Sequence, residues 1–385
     1  MEFLGYRRAD GRVGVRNHLL LVSTVVCANE AVERIRRKVR SAVALVHPAG
    51  CCMLGRDLEQ FKRTLAGAAS SPNVGAVLAV GLGCEQIEAR WLAGEAGRAG
   101  ARAEALTIQE CGGTRETVRR GADLARRMAE ALAADARQPC TAADLLLATE
   151  CGGSDYTSGL TANPAIGWAA DRLIEAGGTV ILSETTEIMG GEHLLAARAV
   201  SDGVARRIGA IVERVEAEAA RMGVDIRGSQ PTPGNIAGGL TTIEEKSLGC
   251  IYKAGKAPVQ GVVEYGQRVP GKGLWIMDTP GQDVESITGM VAGGAQVVVF
   301  STGLGTPVGC PIAPVIKLTG NPRTARAMRS HVDLSAGGVL SGRETVEKVG
   351  ARLLARVLEV AGGRRTKAER LGHGEFAINR IGITI

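Results

Sequence analysis

The stretch that decides the fold reads Leu145-Leu146-Leu147-Ala148-Thr149-Glu150-Cys151-Gly152-Gly153. Its apolar first half predicts a buried strand. The strand ends in a carboxylate, a thiol and two glycines, and glycine lets backbone and ligand approach closely. A near copy, Gln109-Glu110-Cys111-Gly112-Gly113, follows the apolar residues at 106–108. The local pattern leaves two interpretations open: an active-site edge, or two tight turns whose thiols act as small hydrophobes.

Apolar segments of the same kind recur along the chain and alternate with helical patterns. The predicted strands are 19–26, 42–46, 74–80, 105–108, 145–148, 179–182, 274–277, 296–300 and 315–318. This alternation predicts an α/β fold with mainly parallel sheets, organised as two Rossmann-like domains. A chain of 385 residues is also too long for one ordinary core. Pro139 marks a boundary, so we predict domains at 1–136 and 137–385.

Composition and charge exclude several classes of protein. The net charge is +6, but the basic residues are dispersed among 40 acids, and no nucleic-acid module is present. The basic balance suits an acidic small-molecule substrate. No apolar run approaches the ~20 residues of a membrane span, and the first ten residues show no secretory signal. Nine cysteines, an odd number in a large chain without a secretory signal, predict reduced thiols and a cytoplasmic protein. The absence of a CxxC pair argues against a zinc ribbon or finger.

Chemically reactive side chains cluster where the predicted strands end. His47, Cys51, Cys84 and Cys111 all follow strands of the first half. Because ligands of parallel sheets collect beyond the carboxyl ends of the strands, we expect these residues on one rim. Thiols at separate strand ends can hold a soft metal or an iron–sulfur cluster, although their wide spacing in sequence weakens that interpretation. The Gly-rich loop at 303–309 lacks the Lys-Ser/Thr ending of a phosphate-binding P-loop.

The second half of the chain adds charged candidates. Glu184 and Glu187 follow the strand at 179–182. Lys246 lies in a helix that Thr242 caps, and Lys317 lies in a short strand. Most lysines are solvated surface residues, but a lysine whose pKa is lowered by burial is a usable base. The region 191–222 predicts one long packing helix, and 254–272 looks irregular.

Several motifs together resemble the altronate/galactarate dehydratase family over nearly the whole chain. They are Gly11-Arg12-Val13-Gly14-Val15-Arg16-Asn17, Gly81-Leu82-Gly83-Cys84-Glu85, Cys151-Gly152-Gly153-Ser154-Asp155, Ser158-Gly159-Leu160-Thr161-Ala162-Asn163-Pro164-Ala165, Asn235-Ile236-Ala237-Gly238-Gly239-Leu240-Thr241-Thr242 and Phe300-Ser301-Thr302-Gly303-Leu304-Gly305-Thr306-Pro307. The resemblance implies a lyase that removes water across C2 and C3 of a sugar acid such as altronate or galactarate, giving a 2-keto-3-deoxy acid.

The resemblance also implies a site and a cofactor. The cofactor is iron, as Fe²⁺ or an iron–sulfur cluster, or another divalent metal in its place. The metal ligands it implies are Cys51, Cys84 and Cys151. The catalytic candidates are Lys246, Lys317, Glu184 and Glu187, and the candidate substrate contacts are Asn17, Ser154, Asp155, Asn163 and Thr302.

One departure from the family bears on partners. Sugar-acid dehydratases of this family carry a small additional N-terminal domain of the SAF type, whereas this chain begins almost directly at Gly5-Tyr6-Arg7-Arg8. A related enzyme, (2R)-sulfolactate sulfo-lyase, carries that domain as a separate subunit. The alternative function is therefore release of sulfite and pyruvate from sulfolactate together with a small SAF-domain partner. We expect a homo-oligomer, no nucleic acid and no membrane. The alternative outside the enzymes is a non-catalytic scaffold that binds a metal.

Overall fold

Strands and helices alternate along the chain. The computed structural model describes residues 1–385. Its strands are β1 Glu2–Arg7, β2 Val13–Gly14, β3 His18–Ser23, β4 Ala42–Leu45, β5 Val74–Gly81, β6 Arg102–Thr107, β7 Gln138–Thr141, β8 Leu146–Cys151, β9 Thr179–Leu182, β10 Val259–Val263, β11 Gly273–Met277, β12 Val297–Ser301, β13 Val315–Thr319 and β14 Leu334–Ser335. Its helices are α1 Asn29–Lys38, α2 Gly55–Ala69, α3 Ala89–Arg98, α4 Thr114–Ala133, α5 Asn163–Glu175, α6 Glu192–Ala196, α7 Asp202–Arg221, α8 Pro233–Ala237, α9 Ile243–Ile251, α10 Asp283–Ala292, α11 Pro322–Ala327, α12 Gly337–Leu340, α13 Val346–Ala361 and α14 Lys367–Leu371.

Two parallel sheets form the frame. The smaller has the strand order β4-β3-β5-β6, and the larger has the order β10-β11-β9-β8-β12-β13-β14. Every pairing within these two sheets is parallel. A third sheet, β2-β1-β7, is antiparallel. The predicted α/β class with mainly parallel sheets is confirmed, and the boundary between residues 136 and 137 stays a prediction.

The central strands are apolar because helices cover both faces of the sheets. On one face of the larger sheet, Ala148 and Phe300 join an apolar cluster that also contains residues of α2 and α10. On the other face, Leu147 and Val299 pack in a second cluster with residues of α5 and α13. The first cluster contains Val77 from the smaller sheet as well. The two sheets therefore share one apolar core region. None of the helices combines the length and apolar character that a membrane crossing requires.

Several elements differ from the sequence-based expectation. The region 254–272 is not wholly irregular, because it contains the edge strand β10, in which buried and half-buried residues alternate. The single helix expected over 191–222 is divided into α6 and α7. The Ser201 side chain accepts a hydrogen bond from the Val204 amide and so starts the second helix. Strand β1 was not expected either, because its pattern is short and partly charged.

Candidate active site

Four neighbouring strands of the larger sheet bring the candidate residues together. The order β11-β9-β8-β12 places their carboxyl ends side by side. Asp278 directly follows β11, and Glu184 follows β9 with Ser183 between them. Cys151 is the last residue of β8, and Thr302 directly follows β12. The expected clustering at strand ends is therefore present in this sheet, at the edge where parallel sheets bind ligands.

A thiol–carboxylate group lies at the centre of this edge. The Sγ atoms of Cys151 and Cys250 and a carboxylate oxygen of Glu184 all lie within 4.8 Å of one another, and all three residues are buried. The Cys151 amide donates to Glu184 Oε2 at 3.0 Å, and its thiol donates to Oε1 at 3.4 Å. The adjacent Cys250 thiol and burial raise the pKa of Cys151 well above its usual value. Two sulfur donors and one oxygen donor thus converge on a small volume.

Glu184 is held by both its backbone and its side chain. Its φ of 68° lies in the left-handed region, which a non-glycine residue occupies at a cost. The Glu184 amide donates to Thr279 Oγ1 at 2.7 Å. Its carboxylate pairs with the Lys253 ammonium, and neither side chain is exposed to solvent. The surrounding structure therefore fixes this carboxylate beside the two thiols.

Two further carboxylates surround this group. Glu150 is fully buried, and its Oε2 accepts from Ser286 Oγ at 2.6 Å and Ser183 Oγ at 3.2 Å. Burial and the nearby Glu184 carboxylate raise the pKa of Glu150 well above its usual value. Asp283 begins α10, and burial together with Glu184 and Glu187 raises its pKa to about 7. Several carboxyl groups are therefore crowded together here, and their surroundings favour the protonated forms of Glu150 and Asp283.

A second buried ion pair lies nearby. Lys246 Nζ is 2.8 Å from Glu187 Oε1, and the two side chains are 10% exposed. Burial raises the pKa of Glu187, because it disfavours the charged carboxylate. Burial alone would lower the pKa of Lys246, but the Glu187 charge reverses that effect and the net shift is upward. Lys246 is therefore an ammonium at neutral pH.

A cavity of about 220 Å³ opens beside the two thiols. Its polar lining includes Cys151, Cys250, Ser154, Lys246 and Asn163. Several apolar side chains stand around its mouth. The cavity gives a small molecule access to the thiol–carboxylate group and to the ammonium of Lys246.

The predicted substrate contacts hold the walls of this cavity together. Asp155 lines it, and its carboxylate accepts from Thr157 Oγ1 at 2.6 Å and from Asn321 Nδ2 at 2.9 Å. Asn163 donates to the Gly249 carbonyl at 2.8 Å. Thr302 does not line this cavity, and its Oγ1 accepts from the Gly305 amide at 2.9 Å. Ser154 lines the cavity and accepts, through its carbonyl, from Asn235 Nδ2 at 2.9 Å. These residues shape the site, whatever contact each makes with a substrate.

Four predicted site residues lie outside this group. Cys51 and Cys84 are exposed at the carboxyl end of the smaller sheet, so the structure does not bring them together with Cys151. Asn17 bridges Arg8 and Asp135 through hydrogen bonds of 2.8 and 2.9 Å. Lys317 is buried within β13, where it donates to the Pro307 carbonyl at 2.9 Å, and burial lowers its pKa to about 8.

Cys250, Lys253 and Asp283 are the site residues that sequence reasoning missed. Lys246, Cys250 and Lys253 are spaced i, i+4 and i+7, which places them on one face where a helix continues. That spacing from Lys246 was the available signal for Cys250 and Lys253. The only signal for Asp283 was its position soon after the predicted strand at 274–277. Glu150 belongs to the central motif, but nothing in the sequence was a reason to assign it a role.

The donor set fits a metal ion. Thiolates with a carboxylate suit iron, zinc and similar transition metals better than magnesium or calcium. Glu150 Oε1 and Glu187 Oε2 are buried without a hydrogen-bond partner. Buried polar atoms of this kind call for an explanation, and a bound ion or water is one. The residues present therefore support a metal centre at this edge, with Cys151, Glu184 and Cys250 as its ligands.

Comparison with known proteins identifies the family. Residues 142–384 match the family described as D-galactarate/Altronate dehydratase, C-terminal. Residues 5–133 match the second domain of D-galactarate dehydratase/Altronate hydrolase. The chain belongs to the D-galactarate/altronate dehydratase family. The family resemblance drawn from the motifs is thus confirmed.

Named relatives within the D-galactarate/altronate dehydratase family are lyases. The chain is 42% identical to (2R)-sulfolactate sulfo-lyase subunit beta of Chromohalobacter salexigens, over 98% of this chain and 97% of that relative. It is 34% identical to altronate dehydratase of Bacillus subtilis, over 100% and 78% respectively. It is 35% identical to galactarate dehydratase (L-threo-forming) of Escherichia coli, over 98% and 76%. The predicted class of enzyme, a carbon–oxygen or carbon–sulfur lyase, is confirmed for the family.

Proposed function

We propose that the chain catalyses a metal-dependent β-elimination on a small 2-hydroxy carboxylate. The observation that carries this proposal is the buried Cys151–Glu184–Cys250 group, which opens onto a cavity lined by the Lys246 ammonium. Elimination next to a carboxylate needs positive charge where negative charge develops, and a group that moves a proton. This edge offers both within one small volume.

We propose iron as the metal, as Fe²⁺ or within an iron–sulfur cluster, held by Cys151, Glu184 and Cys250. Bound there, it would supply positive charge to the substrate oxygens that become negative as the C2 proton leaves. Lys253 holds Glu184 in place through their buried ion pair. Glu150 and Asp283 lie beside this group with raised pKa values, and a bound cation would favour their ionised forms.

The side chains of this chain have separate tasks in the proposed reaction. Lys246 presents its ammonium to the anionic substrate, and Glu187 holds that ammonium at 2.8 Å. We assign proton transfer to this pair: the Glu187 carboxylate accepts the C2 proton while Lys246 remains an ammonium. Lys317 takes no part, because its amine is bound to the Pro307 carbonyl within a strand.

We propose (2R)-sulfolactate as the substrate, on the strength of the 42% identity to the sulfo-lyase subunit over 97% of its length. The C2–H bond breaks and a C2=C3 double bond forms. The C3–S bond breaks at the same time, and sulfite leaves with its electron pair. The enol that remains takes up a proton at C3, releases the proton of its C2 hydroxyl and becomes pyruvate.

Dehydration of altronate or galactarate is the second candidate. The relatives with 34% and 35% identity that are named for these substrates favour it. The C2–H bond breaks in the same way, but hydroxide leaves from C3 and is protonated to water. The site residues serve both reactions, because the two differ only in the leaving group and in the length of the substrate.

A partner subunit and a cytoplasmic location complete the proposal. The sulfo-lyase relative is named as a beta subunit, so we propose a small companion subunit for this chain. We place the reaction in the cytoplasm, where its nine free cysteines stay reduced. Self-association of the chain remains a prediction.

Metal analysis tests the proposed centre. We expect anaerobically purified protein to contain iron and Cys151→Ser to lose most of it, because serine replaces a thiolate donor. Cys84→Ser is the matched control, since Cys84 is an exposed thiol at the other sheet. Equal metal content in Cys151→Ser and the unchanged protein would overturn the proposed ligand set. Loss of metal in Cys84→Ser would restore the ligand set implied by the sequence.

A substrate screen tests the reaction. Iron-loaded protein is incubated anaerobically with (2R)-sulfolactate, altronate and galactarate, with and without the companion subunit, and sulfite and 2-keto acids are measured. We expect sulfite and pyruvate in equal amounts from sulfolactate. We also expect at least a hundredfold loss of rate in Lys246→Met, with Lys348→Met on the surface as control. A 2-keto-3-deoxy acid from altronate alone would select the second candidate, and no product from any substrate would count against both.

A further inference from the structure

The mouth of the active-site cavity carries mainly apolar side chains, which offer no charge to a small acidic substrate. Tyr156, Leu160, Leu248 and Tyr252 line the cavity beside Cys151 and Cys250. Between 46% and 61% of each of these four residues is exposed. Single exposed apolar residues are ordinary on a protein surface. Four around one opening form a patch of the kind that marks an interaction site.

The four residues form two ridges with a groove between them. Tyr156 and Leu160 are spaced i, i+4 in one helical segment, and Leu248 and Tyr252 have the same spacing along α9 and the turn after it. Residues at this spacing lie on one side of a helix. The two segments meet at Gly159 and Gly249, where a Cβ added to Gly159 would lie 3.0 Å from the Gly249 Cα. The groove therefore has a glycine floor and apolar sides.

The patch continues beyond the groove on one side. The Tyr156 amide donates to the Gly238 carbonyl at 3.1 Å, which joins the first ridge to the end of α8. Ile236 on α8 is 56% exposed, and Leu304 nearby is 48% exposed. The apolar surface thus extends from the cavity mouth across α8, and no segment of this chain covers it.

We propose that these residues are the docking surface for the small companion subunit, which inserts an apolar segment into the groove and closes the cavity. This inference rests on the proposed function, and on the beta-subunit name of the relative with 42% identity. Closure of the mouth would exclude water from the thiol–carboxylate group, where elimination of an anion benefits from a dry site. Aromatic side chains such as Tyr156 and Tyr252 are typical of interface centres.

A second copy of this chain is the competing occupant. A twofold dimer pairs one surface with its own copy, so self-association here would require a ridge of each copy to enter the groove of the other. The beta-subunit name of the relative with 42% identity favours a different partner, and measurements of binding and of oligomeric state distinguish the two occupants.

Binding measurements with the co-expressed companion subunit test the proposal. The double variant Leu160→Ser, Leu248→Ser removes one apolar side chain from each ridge, and neither residue belongs to the catalytic or metal-binding group. The control is Leu54→Ser, Leu371→Ser, which changes two leucines of similar exposure, 48% and 49%, elsewhere on the surface. Affinity is measured by titration calorimetry, and oligomeric state by light scattering.

We expect the groove variant to bind the companion at least tenfold more weakly, and the control variant to bind as the unchanged protein does. Binding by the groove variant within twofold of the unchanged protein would overturn the proposal. A dimer of the chain alone that dissociates in the groove variant would overturn it too, by showing that a second copy occupies the surface. Because the readout is binding, groove-dependent binding with no elimination activity would remove the proposed function and keep the docking surface.

Discussion

At the scale of single residues, Glu184 combines an unfavourable backbone conformation with a fully buried charge. It occupies left-handed backbone, contacts the Cys151 thiol, and shares a fully buried ion pair with Lys253. Burying a charge without its partner is costly, because water no longer solvates it. The stability of this region therefore depends on keeping the two charges together.

Lys253→Met is expected to destabilise the protein by about 3–5 kcal/mol, because it leaves the Glu184 carboxylate buried without its counter-charge. The double variant Lys253→Met, Glu184→Gln removes both charges and should lose less. Urea unfolding at pH 7 of metal-free protein gives both values. A single variant that is no less stable than the double variant would contradict this account of the pair.

The residue-level prediction of the site from sequence was partial, for a physical reason. Cys151, Glu184, Glu187 and Lys246 were found because strand ends and a helix start can be located from apolar periodicity. Cys250 and Lys253 were missed because α9 and the turn after it do not follow a strand. They reach the carboxyl end of the larger sheet only through tertiary packing, which the sequence pattern does not show. Cys51 and Cys84 also follow strands, but periodicity cannot tell which sheet a strand joins.

At the scale of secondary-structure elements, the predicted strands agree with the sheets, most clearly for β5, β12 and β13, whose apolar runs are buried on both faces. Strand β10 was missed since it is an edge strand with Gly261 and Gln260 in its centre, which weakens the apolar pattern. The division between α6 and α7 was missed because apolar spacing continues across it, and only the cap at Ser201 marks the break.

Two helical glycines give a matched test of packing between elements. A Cβ at Gly94 in α3 would meet only the Arg98 guanidinium, at 3.7 Å, whereas one at Gly121 in α4 would overlap the Ile35 side chain of α1. We expect Gly94→Ala to stabilise the protein by about 0.5–1 kcal/mol. Gly121→Ala should destabilise it by about 1–3 kcal/mol, because the two helices must separate. Denaturant unfolding checks both, and shifts in the same direction would contradict the packing described here.

At the scale of the whole molecule, one ion pair connects sequence-distant parts of the chain. Arg16 follows β2, and its Nε donates to Glu369 Oε1 in α14 at 2.7 Å, while Nη2 donates to Oε2 at 2.9 Å. Arg16 Nη1 also donates to the Val360 carbonyl of α13 at 2.8 Å. A bidentate arrangement of this kind is among the stronger charged hydrogen bonds.

This pair predicts a dependence of stability on pH. Burial alone would raise the pKa of Glu369, but the hydrogen bonds from Arg16 lower it below the ordinary value of 4.5. A lowered carboxylate pKa stabilises the fold above the unfolded-state value, and that stability is lost as the pH falls through the folded-state value.

The variant Glu369→Gln should therefore cost about 1.5–3 kcal/mol at pH 7, and the difference should shrink as the pH falls towards 3. Gln retains the size of Glu and can keep the hydrogen bond from the Thr366 amide, but its NH2 group replaces one of the two oxygens that accept from Arg16, so the variant removes the charge together with one hydrogen bond. Urea unfolding of both proteins across this pH range measures the effect. A difference that stays constant with pH would show that the carboxylate charge is not its source.

The apolar cluster shared by the two parallel sheets bears on how the protein unfolds on heating. Phe61 and Leu65 of α2 lie in the same cluster as Met290 and Val291 of α10. Separating these helices would expose apolar surface of both halves, although the first half keeps a second cluster of its own. We therefore expect the two halves to melt together, as a single calorimetric transition. For the same reason, we expect the two fragments left by a protease cut at 134–137 to remain bound to each other in size-exclusion chromatography.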